Sequence, residues 1–279
     1  MNGIKRYAFA DEASGQIDRQ IAAMLRNGLD GLEIRGVDGQ NIADITVEKA
    51  REVRKKLDDA GLTVWSIGSP IGKIGITSDG FAAHLDQLRH LLVLAEVLGA
   101  QNLRMFSFYV PEGRWAEFRH QVMDQMGQML DVARGSGVAM CHENEKGIYG
   151  DMADRCHDLL TTFPELQGVF DPANFIQSGQ DTLEAWTLLK DRIKYLHIKD
   201  ALPSGKVVPA GKGEGHVAQI LKEFRERGGC ALSIEPHLSV FDGLKDLEQA
   251  GHRTQMDEYS YASSDEAFDV ACAALNELL

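Results

Sequence analysis

No apolar run in this sequence approaches the roughly 20 residues that a membrane-spanning helix needs, so no bilayer crossing is expected. The amino terminus, MNGIKRYAFADEAS, lacks the apolar stretch of a signal peptide and reads as a first strand. Cysteine is scarce. Cys141, Cys156, Cys230 and Cys272 stand far apart, form no C-x-x-C pair, and three of them lie in apolar runs. Reduced, mostly buried thiols in a cytoplasmic setting are expected. Positive charge is short as well: 29 Lys and Arg face 42 Asp and Glu, a net charge of −13. Such a surface repels phosphates on average, which argues against nucleic-acid and anionic-membrane partners. A small anionic substrate stays open, because a few local lysines reverse the sign inside a pocket. No linker, low-complexity stretch or charge block divides the chain, so residues 1–279 read as one domain.

What is present is a regular alternation. Short apolar runs at 4–10, 31–36, 62–68, 101–108, 137–143, 166–171, 193–200 and 230–235 read as strands. Amphipathic stretches follow them at 15–28, 46–61, 81–99, 114–135, 152–162, 182–190 and 217–227, and a last helix opens at the capping box Ser263-Ser264-Asp265-Glu266. Near-continuous apolar strands suit a parallel sheet buried on both faces. Eight strand–helix units in this length predict a single (β/α)₈ barrel. The alternative, a doubly wound open sheet, usually carries an early Gly-rich phosphate turn, and none follows the first strand here. The stretch 239–262 is long and polar for a loop of this fold; a lid or a subunit contact in a homo-oligomer would account for it.

In a parallel barrel the carboxyl ends of all strands share one rim, where chemistry sits. The fifth strand ends in Glu143, the sixth in Asp171, the seventh carries His197, and the eighth ends in Glu235. Singly each has a bland reading: a solvated Glu, a hydrogen-bonded core His, an Asp opening a turn or capping a helix. Together they stand on four consecutive strands about 4.8 Å apart, close enough to converge. Three carboxylates and an imidazole packed without a counter-charge would repel one another, and a divalent cation removes that cost. The oxygen-rich set with one nitrogen suits Mn²⁺, Mg²⁺, Co²⁺ or Zn²⁺.

Across HENEKGIYGD, DPANF, HIKD and IEPH the chain resembles the xylose-isomerase-like TIM barrels, the sugar phosphate isomerases and epimerases. The resemblance spans essentially the whole chain. It implies one divalent metal held by Glu143, Asp171, His197 and Glu235. It further implies that Glu143 and Glu235 act as an acid/base pair, moving a proton through an enediolate of a sugar or sugar-derived ketone. Two positions depart from the ketose 3-epimerases: Asn174 stands where they carry the His of D-x-x-H, and no Arg follows HIKD. That segment is more similar to inosose dehydratase. An isomerase or epimerase is therefore the first expectation. A metal-dependent lyase on a keto-sugar or keto-glycoside is the second, and a non-catalytic metal- or sugar-binding barrel the third.

Lys199, Glu145, Asn174 and His237 are the candidate substrate contacts at the same rim. Asp200 is a candidate to orient Lys199, with a surface ion pair as the plainer reading. His142 should point away from Glu143, on the opposite face of the strand. PAGKGEG (209–215) reads as a tight turn, since it lacks the Lys-Ser/Thr of a phosphate-binding loop. Lys73 and Lys212 are weaker candidates for an anionic group. Glu33, Arg35, Arg104 and Phe106 either line the pocket or fill the inner layers of the barrel.

Overall fold

The computed structural model describes residues 3–240 and 261–279. Eight strands close into a barrel: β1 (Lys5–Ala8), β2 (Gly31–Ile34), β3 (Thr63–Gly68), β4 (Asn102–Met105), β5 (Ala139–Glu143), β6 (Gln167–Phe170), β7 (Ile193–Ile198) and β8 (Ala231–Ile234). Each pairs in parallel with its sequence neighbours, and β8 returns to β1 with Lys5 beside Ala231 and Ala8 beside Ile234. The open-sheet alternative is thereby excluded.

The outer layer contains α1 (Ile17–Arg26), α2 (Val47–Asp59), α3 (Phe81–Leu98), α4 (Trp115–Ala133), α5 (Ala153–Thr162), α6 (Pro172–Gln177), α7 (Thr182–Leu189), α8 (Val217–Glu226) and α9 (Ser264–Leu278). Their ends follow local chemistry. Thr46 Oγ1 accepts from Lys49 N at the start of α2. Ser263 Oγ does the same for Glu266 N at α9. Gly99, at φ +71°, closes α3 in the left-handed conformation that costs glycine little. None of the described helices is long and apolar enough to cross a membrane. The sequence reading of a lid or subunit contact at 239–262 falls almost wholly outside the described residues.

Two apolar layers result. The larger lies between strands and helices, where Ile34, Ile67, Leu103, Phe170 and Leu196 meet helix residues such as Met24, Val53, Leu91, Met126 and Ile220. The smaller fills the barrel interior with Tyr7, Cys141, Val169, Tyr195 and Ala231, against which Trp65 packs. Both are needed in a barrel, since strand side chains alternate between the two faces.

Three local features differ from the sequence expectation. Helix α6 was not anticipated. It spans six residues, capped by Asp171 and opened by Pro172 at its first position. The seventh strand stops at Ile198, and Asp200–Ala201 pair instead with Val207–Val208 in a separate hairpin. Asp200 does not orient Lys199 by a direct contact. Its buried carboxylate accepts the backbone N–H groups of Ala201, Gly211, Gly213 and Gly215 at 2.8–3.0 Å. A Cβ at Gly213 or Gly215 would stand 2.4 or 2.6 Å from Asp200 Oδ1, so the Gly-rich segment is a wrapping for this one carboxylate. Lys212 is exposed there.

Candidate metal centre and active site

Glu143 is the last residue of β5, and Asp171 and Glu235 directly follow β6 and β8. His197 is the fifth of six residues in β7 and points inward, two positions above Tyr195 on the same face. One ligand-type atom from each of the four lies within 4.8 Å of all the others, and all four residues are buried. The expected convergence of β5–β8 is thus present. His197 Nδ1 is 2.9 Å from Glu143 Oε1, 3.6 Å from Glu235 Oε2 and 3.9 Å from Asp171 Oδ2.

The cluster is not without counter-charge, and here the electrostatic expectation is corrected. Lys199 Nζ stands 2.8 Å from Asp171 Oδ2 and 2.7 Å from Glu235 Oε2. Arg35 Nη1 donates to Glu235 Oε1 at 3.2 Å, and Arg104 Nε is 3.3 Å from Glu143 Oε2. Burial would push the Glu235 carboxyl up, but Lys199, His237, His197 and Arg35 hold it well below the usual range. Asp171 goes the other way: burial pushes it up to about 7, because one nearby ammonium does not offset the loss of water and the two Glu charges. His197 is held protonated well above its ordinary range by Glu143 and Glu33, which outweigh its burial.

These residues also fit a divalent cation. Asp171 Oδ2 is buried and makes no hydrogen bond; its approach to Lys199 is an ion pair outside hydrogen-bond geometry. Asp171 Oδ1 is committed to Asn174 N at the start of α6, so the carboxylate is fixed with its second oxygen facing the cluster. Three oxygen donors and one nitrogen then face a common point. Glu143, Asp171, His197 and Glu235 would hold the ion, and Lys199 would have to yield its place on Asp171 and Glu235.

The other sequence candidates take definite positions. Asn174 Nδ2 donates to Glu143 Oε1 at 3.3 Å and to Asn144 O at 2.9 Å, so it braces a cluster carboxylate. Asn144 in turn clasps the backbone of Asp171: its Nδ2 donates to Asp171 O and its Oδ1 accepts from Asp171 N, both at 2.9 Å. Glu145 pairs with Lys73 at 3.1 Å, and Lys73, Lys199 and Lys146 draw its carboxyl down to about 2 against the effect of burial. Lys73 Nζ and the Arg104 guanidinium both lie over the Phe106 ring, at 4.4 and 4.6 Å. His237, at φ +46°, turns to Glu12: its Nδ1 is 3.0 Å from Oε1, and its N–H donates to Oε2 at 2.6 Å. His142 faces away from the cluster, as expected, and bonds Ser107 Oγ at 2.9 Å.

Sequence reading passed over Glu12 and Asp11. Both bind the buried Arg35, which links them to Glu235. Glu12, Glu235 and His237 form a second group with ligand-type atoms within 4.8 Å, but Arg35 already supplies it with a cation.

A closed eight-stranded parallel barrel with a buried Glu–Asp–His–Glu cluster on its last four strands defines a class of protein that holds its chemistry at one rim. The chain belongs to the family of xylose isomerase-like TIM barrels, whose description residues 21–255 match. It is 22% identical over 224 residues to the uncharacterized protein YihM of Escherichia coli (strain K12), covering 77% of this chain but only 62% of YihM. Among solved structures, the probable 3-DHS dehydratase AsbF from Bacillus anthracis superimposes with a TM-score of 0.75 at 16% identity, over 98% of this chain and 99% of that one. A D-allulose 3-epimerase from Methylomonas sp., in complex with D-allulose, gives 0.74 at 17% identity, over 99% and 98%. The IOLI protein with a bound zinc atom gives 0.74 at 15%, again over 99% and 98%. These structural likenesses share the fold, and the neighbours include both epimerases and a dehydratase.

Proposed function

We propose that this protein is a divalent-metal-dependent isomerase or epimerase of a sugar or sugar-derived ketone. The observation that carries the reading is the convergence of Glu143, Asp171, His197 and Glu235 within 4.8 Å at the rim. A bound divalent cation supplies Lewis-acid polarisation of a substrate carbonyl oxygen. The proton work falls to the chain itself. Glu143 and Glu235 come from strands three places apart round the barrel, so their carboxylates approach a small substrate from different sides. One removes a proton from the carbon beside the carbonyl and the other returns one. Arg104 and Asn174 orient Glu143, while Arg35 keeps Glu235 ionised once Lys199 has yielded its place to the ion. Lys199 is also placed to donate to a substrate oxygen. Glu145 and His237 stand at the rim as candidate contacts for substrate hydroxyls.

A lyase is the second reading. Asn174 favours it: its Nδ2 donates to Glu143 and Asn144, whereas a His there would hold substrate oxygens in the ketose 3-epimerases the chain resembles. The likeness in fold to a probable dehydratase is consistent with it.

Proton NMR in D₂O with Mg²⁺-loaded protein and a panel of ketoses, inososes and 3-keto-glycosides tests both. Deuterium entering beside the carbonyl, with every oxygen retained, is the result expected for an isomerase or epimerase. Exchange with loss of water or an aglycone would move the protein to the lyases. In either case Glu235→Gln should slow exchange by about 10²–10⁴-fold. Metal bound one-to-one with no exchange on any compound would overturn the enzyme reading in favour of a binding barrel.

A further inference from the structure

Glu33 lies in the middle of β2, fully buried, where a barrel interior ordinarily carries an apolar branched side chain. An ionised carboxylate is costly there unless its oxygens are met by donors. Both are met, and both donors come from β7. Tyr195 Oη donates to Oε1 at 2.7 Å, and His197 Nε2 lies 2.9 Å from Oε2. Tyr195 is itself placed by Ser66 Oγ at 3.2 Å. The imidazole is also gripped edgewise by Phe9, with ring centroids 5.3 Å apart at 82°, and by Tyr195, at 5.6 Å and 61°.

An ionised carboxylate only accepts hydrogen bonds, so the nitrogen facing Glu33 must carry a hydrogen. A cation that takes the place of the second ring proton leaves a neutral imidazole, in which the other nitrogen is the one with a free lone pair. That nitrogen is Nδ1, which has Glu143, Glu235 and Asp171 within 3.9 Å. Glu33 sits on the far side of the ring and contributes no atom to the four-residue cluster.

We infer that Glu33 is a positioning residue: it fixes the orientation and tautomer of His197 so that Nδ1 faces Glu143, Asp171 and Glu235, and it thereby sets the affinity of this centre for a divalent cation. The inference rests on the metal reading above and extends it to a residue outside the ligand set. Arg104 joins the two levels, with its Nε 3.9 Å from Glu33 Oε1 and 3.3 Å from Glu143 Oε2. Outer partners of a ligating His typically change metal affinity about 10–100-fold when removed.

The test is titration of the wild-type chain, Glu33→Gln, Tyr195→Phe and His197→Ala with Mn²⁺, reading free ion by electron paramagnetic resonance. The visible absorption of the Co²⁺-loaded proteins is a second readout of ligand geometry. Glu33→Gln should weaken Mn²⁺ binding about 10–100-fold and shift the Co²⁺ bands. Tyr195→Phe, which frees one oxygen of Glu33, should give a smaller loss in the same direction. Wild-type affinity and spectrum in Glu33→Gln, beside a clear loss in His197→Ala, would overturn the role of Glu33 and leave the metal centre standing. If Glu33→Gln does not fold by circular dichroism, unchanged affinity in Tyr195→Phe has the same force. A wild-type chain that takes up neither Mn²⁺ nor Co²⁺ would overturn the metal reading and the role of Glu33 with it.

Discussion

Replacing Lys199 by Met removes the ammonium that stands between two buried carboxylates while keeping a side chain of similar length. In the wild-type chain its Nζ lies 2.8 Å from Asp171 and 2.7 Å from Glu235, and all three residues are buried. Removing one partner of a buried pair costs about 3–5 kcal/mol, mostly because the remaining charge is stranded. For a chain of this size each kcal/mol moves Tm by roughly 2–4 °C, so a fall of about 6–20 °C is expected near pH 7.5 without metal. The deficit should depend on pH. The Asp171 carboxyl is pushed up to about 7 in the folded chain, above its ordinary value of 3.8. A carboxyl whose folded pKa is raised binds its proton more tightly folded than unfolded, so its contribution favours folding as pH falls from about 7 towards 4. The neutral acid no longer needs Lys199, and the gap between variant and wild type should narrow near pH 5. Added Mn²⁺ should raise the Tm of Lys199→Met more than that of the wild type, since the ion no longer competes with an ammonium for the same oxygens. Scanning calorimetry at both pH values, with and without Mn²⁺, reads all of this. A deficit below about 2 °C near pH 7.5, or one equally large near pH 5, would refute the reasoning and make packing the role of this side chain.

Asp200→Asn should lower the urea midpoint, because it turns an amide NH₂ toward the Gly211 and Gly213 N–H groups that Oδ2 now accepts. With about 1–3 kcal/mol per stranded donor, a loss of roughly 2–6 kcal/mol is expected, and an unchanged midpoint would show that water closes the loop equally well. Ellman's reagent should modify one thiol quickly in the native protein. Cys230 is exposed, whereas Cys141, Cys156 and Cys272 are buried, with burial raising their thiol pKa values, that of Cys272 to about 12. Two or more fast thiols would mean that the barrel opens far more readily than its packing implies.

The strands were legible because each apolar run is bounded by turn residues and because eight of them alternate with helical spacing. Helix α6 was not, since six residues are too few for a periodic pattern, although Asp171-Pro172 carried a cap and a first-turn proline. The four cluster residues were legible as polar groups at the ends of consecutive strands. Their partners were harder to see. Glu33 in GLEI and Arg104 in NLRM stood out only as charges inside runs of four buried residues, and a sequence does not say which way such a side chain turns inside a barrel. Arg35 meets Glu235 across 200 residues of chain, and Asp11 is tied to that carboxylate only through Arg35, as Glu12 is by its own bond to the guanidinium; local pattern carries no signal over such a separation. The missing counter-charge follows from that: the cations facing the four residues come from just past β2, from β4 and from just past β7.

The clasp between Asn144 and Asp171 bears on how the barrel's rim is built. Strands β5 and β6 end at Glu143 and Phe170, so their ladder should stop there. The Asn144 amide instead presents one donor and one acceptor to the Asp171 main chain, the pair of groups a peptide would offer. A side chain thus counterfeits one more rung. The two backbones can diverge into their separate loops while Glu143 and Asp171 keep the registration of neighbouring strands. Loops of such a barrel can then be lengthened or exchanged beyond this false rung, and the spacing of the two carboxylates would survive the change.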